Sequence, residues 1–193
     1  MIADLVQANR SCRRFYENHE VDVKSLEALI DLARLSASGA NLQPLKYILS
    51  CEPPINAEIF SCLGWAAYLK DWPGPEPGER PTAYIVILGD TTISKEFGVD
   101  HGIAGQSMLL GAREEGLAGC MLATIDRKSL RKILNIEAHL KILLVLAIGK
   151  PKEEIVIETV GPDGSIRYWR DSQGVHHVPK RPLQEIIIAC HAV

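Results

Sequence analysis

The chain has 193 residues, 21 of them lysine or arginine and 24 aspartate or glutamate, for a net charge of −3, and 47% of it is hydrophobic. That length suits one domain spanning residues 1–193 with a sizeable core, and the charge balance gives no reason to expect the basic face that nucleic-acid binding requires, while leaving room for a local basic site. The opening stretch MIADLVQANR lacks the n- and h-regions of a signal peptide, and the longest apolar run, ILLVLAIG, is of strand length, so neither a leader nor a membrane span is expected.

The first distinctive segment is NRSCRRFYENHEV, with Arg10, Arg13 and Arg14 around Ser11 and Cys12. Guanidinium forks beside a hydroxyl match the needs of a bound phosphate, while a solvated charged face has the same composition. In VDVKSLEALIDLARLSAS, Leu26, Leu29, Ile30 and Ala33 fall at i, i+3, i+4, i+7, which predicts a helix with Asp22 as its N-cap. The helix stops in SASGANLQP, a loop whose small residues and amides suit close approach to a flat ligand or an ordinary connection. KYILS reads as a strand. LGWAAYLKDW is predicted helical, with Trp65, Tyr68 and Trp72 either lining a cleft or packing inward. PGPEPGERP, with four prolines, is a surface loop.

TAYIVILG and KILLVLAIGKP read as buried strands, and DHGIAGQSMLLGAREEG as a long helix stopped by Gly116. Gly102, Gly105 and Gly111 would admit a close neighbour along that helix. DRKSLRKIL is a short helix capped by Asp126. EEIVIETVGPDGSIRYWRD predicts two strands joined at Gly-Pro-Asp-Gly, with Pro162 at the first corner. The end, GVHHVPKRPLQEIIIACHAV, reads as a basic loop and a short apolar segment. The order of elements predicts an α+β domain with a central mixed sheet flanked by helices.

The glycine fingerprints of a Rossmann nucleotide site, a P-loop and a hydrolase nucleophile elbow are all absent. His176 and His177 lie beside no further ligands at zinc-site spacing, so no metal is expected. Lys180 and Arg181, set between prolines, present a rigid basic pair suited to an anion. Cys120 reads as a buried thiol rather than a nucleophile. Cys12, Cys51, Cys62, Cys120 and Cys190 are scattered, without a C-x-x-C pair, as in a soluble cytoplasmic protein with reduced thiols.

Taken in order, RSCRRF, SASGANLQP, GQSMLLGAREEGLAGCMLATID and VPKRPLQEI resemble the nitroreductase family of FMN-dependent oxidoreductases. The resemblance implies an α/β sandwich, an intertwined homodimer and one FMN in each interface cleft. Arg10, Ser11 and Arg13 would contact the FMN phosphate, ribityl chain and pyrimidine edge, with Asn9 standing where a basic residue is frequent. Lys180 and Arg181 would close on the same phosphate. Ala37, Ser38, Gly39, Asn41 and Gln43 would come from the other subunit, with Ala37 and Leu45 in place of the usual proline and tryptophan. Ala123 and Thr124 resemble the stretch facing flavin N5.

The implied activity is two-electron transfer from NADH or NADPH to a small quinone-like or nitroaromatic acceptor. The flavin itself carries the chemistry and no side chain is assigned a catalytic role. The alternatives are a flavin-binding protein without turnover, a dehalogenating or flavin-fragmenting branch of the superfamily, and a flavin-free dimeric scaffold.

Overall fold

The computed structural model describes residues 1–191. It forms two compact units: Met1–Trp65 with Pro73–Lys152, and Ala66–Trp72 with the described residues from Glu153 onward. The first contains helices α1 (Ile2–Ala8), α2 (Val23–Leu35), α3 (Pro53–Ser61), α4 (Asp100–Glu114) and α5 (Arg127–Ile133). Its strands are β1 (Leu45–Ser50), β2 (Ala83–Asp90), β3 (Ala118–Leu122) and β4 (Leu140–Gly149). The second contains β5 (Ile155–Thr159), β6 (Trp169–Arg170), β7 (His176–Lys180) and the short helix α6 (Leu183–Ile186).

The larger sheet has the order β1-β2-β4-β3. All three of its strand pairs are antiparallel, so the α+β class holds but the sheet is not mixed as expected. A parallel pairing is confined to its margin, where Ser11 bridges Gly119. Alternation along β2 sends Ile85 and Ile87 to one face, under α2 and α4 with Leu26, Leu29 and Met108. Tyr84, Val86 and Leu88 go to the other, with Ile59 of α3 and Leu130 of α5. Both faces are covered, which is why these strands read as continuous apolar runs. Register slips where Ile87 pairs with Leu144 and Leu88 with Ile142, leaving Leu143 as the extra residue of a bulge.

Local signals decide the helix ends. Asp22 accepts the Ser25 N–H at 2.7 Å, and Asp126 accepts those of Lys128 and Ser129, as their N-cap positions predict. Helix α4 stops in a Schellman turn: Gly116 takes φ +73°, its N–H reaches Arg113 O, and Leu117 N–H reaches Ala112 O.

Two further expectations fail. The helix over LGWAAYLKDW does not form; helix lies upstream in α3, with proline in its first turn. Leu63 bridges Ile125 and Gly64 N–H donates to Thr124 O at 2.9 Å, so tertiary pairing holds the chain extended just where the pattern would begin a helix. Ala66 then takes φ +35° and isolated turns follow. The β5–β6 hairpin also fails. The Gly161–Gly164 turn forms, but β5 pairs in parallel with β7, and β6 pairs with the other side of β7. The stretch read as a basic loop is thus the central strand of the three-stranded sheet. Helices α1 and α3 and strand β3 carry no signal that the sequence reading used.

Candidate functional site

The three arginines near the N-terminus have different surroundings. Arg14 is bound as a fork to Glu79, Nε to Oε2 at 2.6 Å and Nη2 to Oε1 at 2.7 Å, and Lys152 Nζ reaches the same carboxylate at 2.9 Å. That ion cluster ties the N-terminal stretch to the proline-rich loop and to the chain beyond β4. Backbone bonds from Phe15 N–H to Glu79 O and from Lys152 N–H to Arg14 O reinforce it. The proline-rich loop is therefore a brace. The Arg14 hydrogen bonds hold the Glu79 carboxyl down at about 2 against the opposing effect of burial, with Lys152 adding to the pull.

Arg10 and Arg13 point their guanidinium groups at backbone oxygens. Arg10 Nη2 donates to Val6 O at 2.8 Å and Arg13 Nη1 to Ser11 O at 3.2 Å. Arg10 Nε is buried with no hydrogen-bond partner among the described residues, so donor capacity remains there. Ser11 is exposed and lies beside β3, where Cys12 N–H donates to Gly119 O at 3.0 Å. Gly119 is required at this crossing: a Cβ there would stand 2.6 Å from Ala147 O.

From Gly119, β3 runs to Ala123 and Thr124, both exposed at its end. Four residues of strand rise cover about 13 Å, so two of the blocks singled out in the sequence share one strand edge. Arg127 shapes that end. Its Nη2 donates to Ala123 O at 3.3 Å, and its Nε to Ile142 O at 3.1 Å beside the β4 bulge.

Ala37–Gln43 forms a second group. The 3-10 turn Gly39–Asn41 occupies it, and Ala40, Asn41 and Gln43 all have φ near +50°. Such a backbone is costly without glycine and needs outside support. Asp100, buried at the start of α4, supplies it: Oδ2 accepts from Ser38 Oγ at 2.6 Å and Oδ1 from Gly39 N–H at 3.0 Å. Ser38 Oγ also accepts the Gln43 N–H at 3.0 Å. A cavity of about 280 Å³ lies against this loop, lined among others by Ala37, Ser38, Gln43, Tyr47 and Asp100. Burial raises the pKa of the Tyr47 phenol, and the nearby Asp100 charge adds to the effect.

Asp100 is a site residue that sequence reading missed; an acid at a helix start is too common to single out. Replacing it with alanine removes both supports, so we expect a loss of about 1–2 kcal/mol. New cleavage within residues 36–44 under limited proteolysis, at unchanged secondary structure by circular dichroism, checks this.

In the smaller unit, His177 stacks on Trp169 with centroids 4.1 Å apart. Its Nδ1 lies 2.5 Å from Glu158 and its Nε2 3.4 Å from Asp171. The Glu158 contact raises its pKa, burial opposes, and Asp171 adds to the rise. His176 is buried beside Glu153, which also takes Arg170 at 2.6 Å. Lys180 is exposed at the end of β7, and exposed Arg181 pairs with Glu185 at 3.2 Å.

No helix among the described residues is long and apolar enough to cross a membrane. An antiparallel sheet covered by helices on both faces, with arginine and serine donors along one strand edge, defines an α+β sandwich with an anion-competent margin. The model of the nitroreductase family matches residues 70–150. A Bacillus subtilis protein named "Putative NAD(P)H nitroreductase MhqN" is 22% identical, over 78% of this chain and 88% of that protein. The nitroreductase family protein of Streptococcus pneumoniae TIGR4 superposes with a TM-score of 0.71 at 16% identity, over 98% of this chain and all of that one. An FMN-dependent nitroreductase of Clostridium difficile R20291 gives 0.63 at 20% identity, over 80% and 89%. These matches support the nitroreductase family, the resemblance that the sequence carries, and the solved structures share its fold.

Proposed function

We propose that this chain is an FMN-dependent oxidoreductase that takes electrons from NADH or NADPH and passes them to a small acceptor, acting as a homodimer. The single observation that supports it best is the strand edge joining Arg10, Ser11 and Arg13 to Ala123 and Thr124. Its donor set fits the group: guanidinium and hydroxyl donors, with Arg10 Nε still unpartnered among the described residues, suit a phosphate ester. The names of the B. subtilis and C. difficile relatives supply the nicotinamide and the flavin.

FMN, when bound, supplies the two-electron redox chemistry. Arg10 and Ser11 would hold its anionic tail in this reading. Arg13 places a fixed positive charge where negative charge develops on reduction. Arg127 keeps the Ala123 carbonyl engaged and so orients the backbone at the end of β3. The Ser38–Gln43 loop, held by Asp100, contributes a rigid wall, from the partner subunit in the dimer.

Freshly purified protein is expected to be yellow with the flavin absorption bands and to bleach anaerobically on addition of NADH or NADPH. A colourless protein that takes up no added FMN would defeat the proposal.

A further inference from the structure

A second cleft in the larger unit, of about 520 Å³, is lined by none of the residues assigned to the flavin. It lies between the segment after Tyr16, the start of α3 and the first residues of β2. The volume falls in the range of small-molecule sites. Phe60, Pro53, Ala57 and Pro81 form apolar wall.

Tyr84, in the same lining, is 1% exposed, and its hydroxyl has no hydrogen-bond partner among the described residues. An unsatisfied buried hydroxyl is uncommon and costly. Arg80 lies over the Phe60 ring at 4.4 Å, and its Nε is likewise buried without such a partner. The other polar groups there are largely engaged. Asn56 accepts from Ser50 Oγ and donates to Thr82 O. The Glu17 carboxylate accepts the backbone N–H groups of Gly78 and Arg80. Glu20 is exposed.

We propose that this cleft binds a small aromatic carboxylate, its ring against Phe60 and the prolines and its carboxylate accepting from Tyr84 Oη and the Arg80 guanidinium. The Arg80 guanidinium is a charged donor and the Tyr84 hydroxyl is free to donate, so one carboxylate satisfies both at once. Burial raises the pKa of the Tyr84 phenol, so it stays protonated and donating. The flat apolar wall beside the cation favours a planar body over inorganic phosphate.

The test is calorimetric titration of the purified full-length protein with benzoate. Saturable one-to-one binding is expected, about 5-fold weaker in Tyr84→Phe and at least 10-fold weaker in Arg80→Met. Tyr84→Phe removes only a hydroxyl without a partner, so it keeps its fold. Benzyl alcohol, with the same ring and no charge, should bind at least 10-fold more weakly than benzoate. No saturable heat overturns the proposal, as does equal benzoate affinity in the wild type and both variants, or equal affinity for the alcohol. Flavin colour is expected to persist in both variants, so this test fails or succeeds separately from the flavin reading.

Discussion

Reversing the charge at Arg13 is expected to yield a folded but colourless protein. Arg13→Glu removes a guanidinium from the strand edge beside Ser11 and puts a carboxylate in its place. Losing one partner of a close charge contact costs about 2–5 kcal/mol, or ~30-fold and upward in FMN affinity. The side chain sits at the margin, half-buried, and its Nη1 donates to Ser11 O in its own loop. Any cost to the fold is read separately, from the stripped protein, so it is not confused with lost flavin affinity. The measurement is FMN titration by fluorescence quenching, paired with thermal unfolding of the stripped protein. A variant as yellow as the wild type would remove the central support of the proposed function. Arg14, the next residue along, provides the contrast: bound to Glu79, it braces the fold.

Glu79→Gln is expected to destabilise the fold in a manner that depends on pH. The Glu79 side chain is 15% exposed and accepts from both Arg14 and Lys152. Its carboxyl falls from an ordinary 4.5 to about 2, chiefly through Arg14, against burial, with help from Lys152. The whole shift corresponds to roughly 3 kcal/mol. Arg14 and Lys152 remain partly in solvent, which screens the pair, so about 2 kcal/mol is the expected loss. For a protein of this size that lowers Tm by about 4–8 °C at neutral pH.

The sign follows from the lowered pKa. The folded state binds the proton less readily than the unfolded chain, so the stabilisation is complete above about pH 4.5 and fades as pH falls toward 2. The wild type's lead over Glu79→Gln, measured by urea unfolding, should shrink across that interval. A lead that stays constant with pH would show that the cluster acts through packing instead of charge.

Which segments were legible follows from the range of the forces involved. Helix α2 and its Asp22 cap, the Asp126 cap and the Gly116 stop were readable because each depends on neighbours within about four residues. Strands β2 and β4 were readable because burial on both faces leaves an unbroken apolar run. The failures lie where distant partners compete. Trp65–Trp72 has helical composition, yet the pairing of Leu63–Gly64 with Thr124–Ile125 and the backbone of Ala66 prevent a helix. His176–Lys180 resembles a loop, yet two strands from elsewhere in the chain flank it.

The sequence by itself determined the covered sheet, the main helix caps and the residue types of an anion site, because apolar periodicity and donor chemistry are local properties. Only the tertiary structure decided which arginine braces the fold and which remains at the strand edge, since that depends on whether Glu79, 65 residues away, arrives beside it. It likewise decided that Asp100 holds the left-handed loop and that Tyr84 and Arg80 share a cleft. Those pairings join residues whose separation along the chain carries no pattern, and close packing of the folded chain is what selects them.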